Sequence, residues 1–248
     1  MASIAYLVPG VGLDTEELQR RERIANDLVS DDVSVVEAGS GPLSIESSVE
    51  DEWSAVGLLQ LLEEREDEFD GFVIGCFGDP GLHGLRELTD KPVVGPANAS
   101  FHTAAQLADR FSCITILETT KPLTRRLVHH YGLDDRLASV PVVEAPVLEI
   151  DHSSDALIDD MVATGRRAVE EDGAEALVPG CMSLSFMQVH EEIADRVGVP
   201  FIDPVTVGLE TASTWARHGI THSDVTYPSA NREKLGGLFG EPAMNADD

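Results

Sequence analysis

Two of the three cysteines, Cys76 and Cys181, stand in matching sequence contexts that could support proton-transfer chemistry. Cys76 ends the segment DGFVIGC at 70–76, and Cys181 ends the segment EALVPGC at 175–181. Each segment is an apolar run typical of a buried parallel strand, followed by a turn. Because ligand crevices of parallel α/β sheets lie beyond the carboxyl ends of the strands, we expect both thiols to face such a crevice.

Two thiols on opposite sides of a substrate could invert a carbon centre without a cofactor. One would remove a proton from a carbon acid, and the other would deliver a proton to the opposite face. A cysteine pKa of about 8.5 can fall towards neutrality at a helix N-terminus, where thiol and thiolate would coexist. Cys113 lies inside a predicted strand, so we expect a buried packing residue there. The cysteines and histidines lack the spacing of a metal site, and we predict neither a metal ion nor a cofactor.

The elements that must position these cysteines alternate along the whole chain, in the pattern of an α/β protein with parallel sheets. The predicted strands are 4–8, 33–37, 71–75, 92–95, 113–117, 145–148, 176–179 and 200–202. The predicted helices are 15–28, 48–68, 81–88, 100–110, 121–131, 155–172, 184–197 and 207–218. Asp79 precedes Pro80 and an apolar run, so we expect it to cap the helix that follows.

A faint internal repeat relates the two halves of the chain. Besides the two cysteine segments, PVVGP at 92–96 parallels PFIDP at 200–204, and IAYLV at 4–8 parallels ITIL at 114–117. We therefore predict two similar four-stranded parallel-sheet lobes, related by a pseudo-two-fold axis, with the cleft between them. The predicted units are lobe 1 at 1–96, lobe 2 at 97–205, and a C-terminal helix and tail at 206–248 that return to lobe 1.

The net charge of −28 arises from 45 acidic and 17 basic residues. Such a charge repels nucleic acids and anionic membranes, so the expected partner is a small molecule. A lysine-poor, acidic surface is suited to a cytoplasm of very high salt, where screening weakens self-repulsion, although an acidic protein of an ordinary cytoplasm is the alternative. The segment MASIAYLVPG is typical of a first strand rather than a secretion signal. We expect a cytoplasmic, halophilic protein.

The chain resembles the hydantoin racemases up to about residue 227. GPLSIE at 41–46, followed by DE at 51–52, is similar to an element that precedes a long helix in that family. CFGDPGL at 76–82 is close to the family's CFxDPGL segment, and PVVG follows at 92–95. The other recurring segments are FH at 101–102, RFS at 110–112, YGL at 131–133 and EDGAEA at 171–176, before Gly180-Cys181.

The resemblance implies the two-lobed fold of the aspartate/glutamate racemases, with Cys76 and Cys181 as the acid/base pair. The implied reaction is racemisation of 5-substituted hydantoins, and related enzymes point by analogy to a homo-oligomer.

Enolate charge would develop on the ring carbonyls of such a substrate, which we expect to accept hydrogen bonds from backbone amides. The residues predicted to supply these amides follow the two cysteines and are Phe77, Gly78, Met182 and Ser183. Thr115, at a predicted strand end, is a further candidate for substrate contact.

Three segments depart from the family pattern and leave the substrate open. Met182-Ser183-Leu184 replaces a GCAGM-like continuation after Cys181, Asn98 stands where a glutamate is usual, and Pro9-Gly10-Val11 replaces Asn-Pro-Asn. Free amino acid racemases usually follow their cysteines with Asn-Thr, which holds the α-carboxylate, whereas this chain favours a neutral cyclic amide.

The alternatives include other reactions of the superfamily, namely racemisation of allantoin, aspartate or glutamate, maleate isomerisation and malonate decarboxylation. A two-lobed binding protein without turnover is also compatible with the sequence. A dinucleotide-binding oxidoreductase is disfavoured, because Gly10-Val11-Gly12 lacks the third glycine of the fingerprint.

Overall fold

The protein, described by a computed structural model over residues 1–236, 238 and 239, contains two parallel sheets. The first has the strand order β2-β1-β3-β4 and the second the order β6-β5-β7. Every strand pair is parallel. The strands are β1 (Ser3–Val8), β2 (Asp32–Glu37), β3 (Gly71–Ile74), β4 (Val93–Val94), β5 (Phe111–Ile114), β6 (Leu137–Ser139) and β7 (Ala176–Pro179).

Helices connect the strands and cover both sheets. They are α1 (Thr15–Leu28), α2 (Ser48–Arg65), α3 (Leu82–Leu88), α4 (Pro96–Leu107), α5 (Lys121–His130), α6 (Asp155–Glu170), α7 (Met182–Ser185), α8 (His190–Val197) and α9 (Pro204–His218). Side-chain caps begin several of them: Asp14 accepts from the Glu17 amide at 2.8 Å, and Asp203 accepts from the Thr206 amide at 3.0 Å. Such caps satisfy amides that have no partner within the helix. The predicted parallel α/β fold is confirmed.

The backbone register defines how the two cysteine segments correspond. In the first sheet 4–7 pairs with 71–74, and in the second 111–114 pairs with 176–179. The cysteine segments are therefore equivalent, as predicted. The predicted match of 4–8 with 114–117 is wrong by three residues, because β5 begins at Phe111.

The second sheet has three strands among the described residues, so the prediction of four strands in each lobe is wrong. The predicted strand 145–148 is a turn, since Val147–Glu149 is a short 3-10 helix that follows Pro146. At 200–202 a single bridge joins Leu177 to Phe201. Pro146 lies inside the first segment, Pro200 begins the second and Pro204 follows it, and proline has no N–H to donate to a strand ladder.

The predicted helix 184–197 is two helices, α7 and α8. Gln188, between them, has a φ of 57°, a left-handed conformation that ends one helix before the next begins. The predicted helix 48–68 stops at Arg65 and continues as the 3-10 turn Glu66–Glu68.

The helix α9 packs against β1, β3 and β4 of the first sheet and against α4. The lobe boundaries at 96 and 205 stay predictions. Of the predicted tail, residues 237 and 240–248 lie outside the described residues. Among the described residues no helix is long and apolar enough to cross a membrane.

Candidate active site

The last hydrogen bond of each sheet places a cysteine just beyond a strand. The Gly75 amide donates to Leu7 O and the Gly180 amide to Ile114 O, both at 2.7 Å. A Cβ at Gly75 would lie 2.6 Å from Leu7 O, and one at Gly180 would lie 3.0 Å from Cys113 Sγ. Only glycine fits at these two positions, because a side chain would collide with the neighbouring strand. The chain turns after each glycine, and the next residue, the cysteine, lies at the edge of the sheet.

Both thiols line one cavity of about 440 Å³ between the two sheets. This volume is in the range of sites for small organic ligands. The part of the chain before residue 97 contributes the loop residues 8–13 and 43–45, Arg21 of α1, the start of α2 and the turn 75–78. The part after it contributes residues between 115 and 130, Val147 and the turn 180–183. The cavity therefore brings together Cys76, Cys181, Phe77, Gly78, Met182, Ser183 and Thr115, all of the predicted site residues.

Phe77 and Met182 turn their side chains away from the cavity into the core. Phe77 is 4% exposed and packs edge-on against Phe101, with ring centroids 5.3 Å apart. Met182 is 3% exposed and belongs to the same core cluster. These two residues therefore offer mainly backbone to a ligand, as the prediction of amide donors requires.

Thr115 is buried, and its hydroxyl bonds to a second threonine. Its Oγ1 lies 2.6 Å from Thr120 Oγ1, and the Thr120 hydroxyl donates to Leu117 O at 2.8 Å. Because the Thr120 proton is used in that bond, Thr115 is the donor to Thr120. Towards a ligand, the Thr115 oxygen can only accept.

The environment of Cys76 is acidic. The Gly78 amide donates to its Sγ at 3.5 Å. Burial, together with the nearby Asp51 carboxylate, raises the pKa of the Cys76 thiol. Burial and the neighbouring Glu52 raise the pKa of Asp51 to about 6, although Arg126 opposes them.

The environment of Cys181 contains a buried cation. Burial raises the pKa of this thiol too, but the amides of Leu184 and Ser183, the Arg21 guanidinium and the Ser183 hydroxyl all act against burial. The amides of both turns lower the cysteine pKa values, as expected, but burial outweighs them, so neither pKa falls towards neutrality. The penalty for a charged sulfur in a packed, apolar wall exceeds the stabilisation by a few amides.

Three ionisable residues at this site were missed by the sequence reasoning. Arg21 and Asp51 line the cavity, and Tyr6 is fully buried beside both thiols. The Tyr6 hydroxyl has no hydrogen-bond partner among the described residues. Two signals were available: the tyrosine inside the buried strand IAYLV, since a buried hydroxyl usually needs a partner, and the DE pair at 51–52 that follows GPLSIE.

Asp79 caps a different helix from the predicted one. Its carboxylate accepts from the amides of Ala97 at 3.0 Å and Asn98 at 2.8 Å, in the first turn of α4, and from the Tyr131 hydroxyl at 2.6 Å. The helix that follows Asp79 begins instead after Gly81, which makes no side-chain cap. The left-handed backbone of Asp79, with a φ of 52°, turns its side chain away from α3. Asp79 therefore joins the Cys76 turn to α4 and α5.

Two glycines of the first loop serve packing. A Cβ at Gly10 would lie 2.5 Å from Pro42 O, and one at Gly12 would collide with Leu43 O. Loops 9–13 and 41–43 can meet over the cavity only because these residues lack side chains. Within the described residues, no group of three or more His, Cys, Asp and Glu side chains is arranged to hold a metal ion.

Comparison with known proteins gives one family. The Asp/Glu/Hydantoin racemase model matches residues 16–212. The chain is 38% identical over 196 residues to a hydantoin racemase from Pseudomonas sp. (strain NS671), covering 78% of each protein, and 35% identical over 184 residues to one from Paenarthrobacter aurescens, covering 73% of this chain and 77% of that one. The allantoin racemase from Klebsiella pneumoniae superposes with a TM-score of 0.83 at 29% identity, covering 93% of this chain and 95% of that one. This chain is an isomerase of the racemase type, and it belongs to the Asp/Glu/hydantoin racemase family.

Proposed function

We propose that this racemase inverts 5-substituted hydantoins by a two-thiol proton transfer that needs no cofactor. The observation that carries the proposal is the equivalent position of Cys76 and Cys181, each after the last strand bond of its own sheet, in one cavity. In the forward step one thiolate takes the proton from the stereogenic carbon. The other thiol then gives its proton to the opposite face of the same carbon.

Backbone amides would stabilise the enolate between these two steps. The Phe77 amide follows one thiol and the Met182 amide follows the other, while the amides of Gly78 and Ser183, which also line the cavity, face the two sulfurs. Each amide that is aimed at a developing oxyanion can contribute about 3 to 4 kcal/mol to the transition state. Thr115 could accept a bond from a ring N–H, because its own proton is held by Thr120.

The acidic wall beside Cys76 favours a neutral substrate. Asp51 and Glu52 line the cavity next to this thiol, and a substrate carboxylate placed there would be repelled. A hydantoin ring is uncharged in its dominant form and carries N–H donors that suit carboxylate acceptors. The two carboxylates therefore favour a cyclic ureide over aspartate or glutamate on the Cys76 side, although Arg21 and Arg126 also line the cavity.

Allantoin is the second candidate, because it is a hydantoin whose 5-substituent is a ureido group. The Klebsiella pneumoniae allantoin racemase and the Pseudomonas fluorescens allantoin racemase superpose with TM-scores of 0.83 and 0.84 at 29% and 27% identity. The same ring chemistry serves both candidates, and only the room for the 5-substituent separates them.

Polarimetry tests the proposal directly. Purified protein in molar potassium chloride is given single enantiomers of 5-alkyl and 5-aryl hydantoins and of allantoin, beside the variants Cys76→Ala, Cys181→Ala and Cys113→Ala. We expect loss of optical rotation with the unaltered protein and with Cys113→Ala, since Cys113 is buried within β5. Either of the other variants should lower the rate by at least about 1,000-fold, because both proton transfers are needed.

Two results would contradict the proposal. Racemisation that survives in Cys76→Ala or Cys181→Ala would rule out the two-thiol mechanism. A folded protein that is inactive on every hydantoin, allantoin included, would rule out this substrate class.

We further propose that the protein works in a cytoplasm of high salt, with a small molecule as its partner and as a homo-oligomer. The charge of −28 supports the first part, because screening reduces repulsion among the carboxylates.

A further inference from the structure

Behind Cys181, three side chains form a hydrogen-bonded chain that ends beside the sulfur. Arg21 is 4% exposed. Its Nε donates to Glu17 Oε1 at 2.7 Å, and its Nη2 donates to Ser183 Oγ at 2.9 Å. Since Ser183 accepts from a cation, its own proton is available for Cys181 two residues earlier. These hydrogen bonds therefore place partial positive charge beside the Cys181 sulfur.

The guanidinium in this chain is held in place from several sides. Arg21 lies over the Phe186 ring, 4.8 Å from its centroid. Glu17 also accepts from Arg20 at 2.6 Å and lies 3.3 Å from His152 Nε2. Although burial opposes it, these partners hold the pKa of Glu17 well below its usual range. Glu17 is thus ionised at any working pH and keeps Arg21 oriented.

Beside Cys76 the nearest charge is negative. A Cβ built on Gly78 would lie 2.5 Å from Asp51 Oδ1 and 3.7 Å from Cys76 Sγ. The carboxylate and the sulfur thus lie on the same side of this glycine, a few ångströms apart. Above its pKa of about 6, Asp51 carries a charge that disfavours a thiolate at this position.

The other ionisable groups near the thiols do not cancel the difference in charge between the Cys181 side and the Cys76 side of the cavity. Tyr6, from β1, neighbours both thiols, and burial raises its pKa, so it stays neutral. Asp79, three residues after Cys76, adds negative charge near that thiol. Arg126 lowers the pKa of the neighbouring carboxyl and so helps to keep it charged. Each thiolate also disfavours the other, since Cys181 raises the pKa of Cys76. The cavity therefore accommodates one thiolate more easily than two.

We propose that Arg21 and Asp51 are positioning residues that set the order in which the two thiols ionise, so that Cys181 is the first to become the thiolate and Cys76 remains the thiol. The inference rests on the proposed two-thiol function. A substrate whose C–H bond faces Cys181 gives its proton to that sulfur, and the bonding electrons pass to the ring carbonyl. The Cys76 proton then moves to the opposite face of the carbon, so Cys76 becomes the thiolate and Cys181 the thiol.

Steady-state comparison of the enantiomers cannot reveal this asymmetry. Two enantiomers have equal free energy in an achiral solvent, so their kcat/KM values must be equal whatever the resting state. The protonation state of each thiol has to be measured separately. Alkylation by iodoacetamide does so, because only the thiolate reacts.

The test uses the full-length protein in molar potassium chloride without substrate. Iodoacetamide labelling of Cys76 and Cys181 is followed by peptide mass spectrometry across pH, and Cys113, which is fully buried, reports any unfolding. We expect Cys181 to have the lower midpoint. Arg21→Met should raise the Cys181 midpoint by about one pH unit or more without raising that of Cys76, and Asp51→Asn should lower that of Cys76 without lowering that of Cys181.

If iodoacetamide labels Cys113 in Arg21→Met, that variant is unfolded, and the milder variant Ser183→Ala is used in its place. It removes the hydroxyl between Arg21 and Cys181 and should raise the Cys181 midpoint alone. A purely structural role for Arg21 predicts changed labelling rates with an unchanged midpoint. The inference is overturned if Cys76 ionises first in the unaltered protein, or if loss of Arg21 or of the Ser183 hydroxyl leaves the Cys181 midpoint in place. Because no substrate is present, failure to racemise hydantoins would count only against the proposed function.

Discussion

Cys76 and Cys181 are the same chemical group in different electrical surroundings. Asp51 adds a negative charge beside the first, and the Arg21–Ser183 pair adds positive polarisation beside the second. Sequence alone placed both cysteines in one cavity, because a repeated strand-turn segment leads to each. It did not identify Arg21 or Asp51, because both sit in helices, α1 and α2, whose register towards the cavity depends on packing.

At the residue scale, Gly78→Ala should displace Asp51 from Cys76. The new Cβ would lie 2.5 Å from Asp51 Oδ1, so the carboxylate must move. We expect kcat/KM for hydantoin racemisation to change by about 10-fold or more, since shifts of about 1 Å in such sites have effects of this size. The free energy of unfolding should change by less than about 1 kcal/mol, because only one side chain has to move. Steady-state kinetics and urea unfolding measure the two quantities.

Gly39→Ala is the matched control for this prediction. Gly39 is exposed, and a Cβ there would meet nothing within 4 Å. Its kinetics and stability should equal those of the unaltered protein. Equal kinetics in Gly78→Ala would show that the position of Asp51 is immaterial to turnover.

At the scale of elements, the hydrogen bonds of the Asp79 carboxylate join the Cys76 turn to α4 and to the end of α5. Burial raises the pKa of Asp79 to about 7, although Tyr131 and the amides of Asn98 and Ala97 oppose it. A carboxyl whose pKa is raised on folding stabilises the protein below its unfolded pKa, and this contribution is lost as pH rises through the folded pKa. The difference from its ordinary value is equivalent to about 4 kcal/mol.

Asp79→Asn removes this titration while it keeps an acceptor oxygen. We therefore expect the variant to be most destabilised, relative to the unaltered protein, at and below about pH 4 and least destabilised above about pH 8. Urea unfolding in molar potassium chloride at several pH values gives the difference. Tyr131→Phe, which removes one donor but leaves the carboxyl to titrate, is the control; it should keep a pH dependence of the same sign, extended to higher pH because the donor that lowers the pKa of Asp79 is gone. A difference between Asp79→Asn and the unaltered protein that does not vary with pH would refute the expected titration.

An element could be predicted from the sequence where local residues determine it, and not where contacts between distant residues do. Helices with a clear cap and amphipathic pattern, such as α1 after Asp14, were predicted to the residue. The second sheet was not, because residues 141–145 bond to the end of β5 without a regular register; the Thr115 amide donates to Pro141 O at 2.8 Å. Asp79 was predicted to cap its own helix, whereas the amides that it caps lie eighteen and nineteen residues ahead in the chain.

At the scale of the whole molecule, the charge of −28 should make folding depend on salt. Eight of the 17 Lys and Arg side chains take part in ion pairs found in the described residues, such as Arg217 with the buried Asp31 at 2.6 Å, and most carboxylates face solvent. Their mutual repulsion extends over about 10 Å at 0.1 M salt and about 3 Å at 1 M. We expect the free energy of unfolding to rise between about 0.1 M and 2 M potassium chloride and then to level off.

A charge-reduced variant separates screening from other effects of salt. Glu64→Gln, Asp160→Asn and Glu210→Gln, combined, remove three exposed carboxylates that make none of the salt bridges found in the described residues. At 0.1 M potassium chloride the variant should be more stable than the unaltered protein by about 1 kcal/mol, because each charge lies in a repulsive field. At 2 M this difference should disappear, since the same repulsion is screened in both proteins. If the difference persists at 2 M, the three carboxylates act through local contacts, and if the unaltered protein shows no salt dependence at all, the long-range repulsion inferred from its charge is absent.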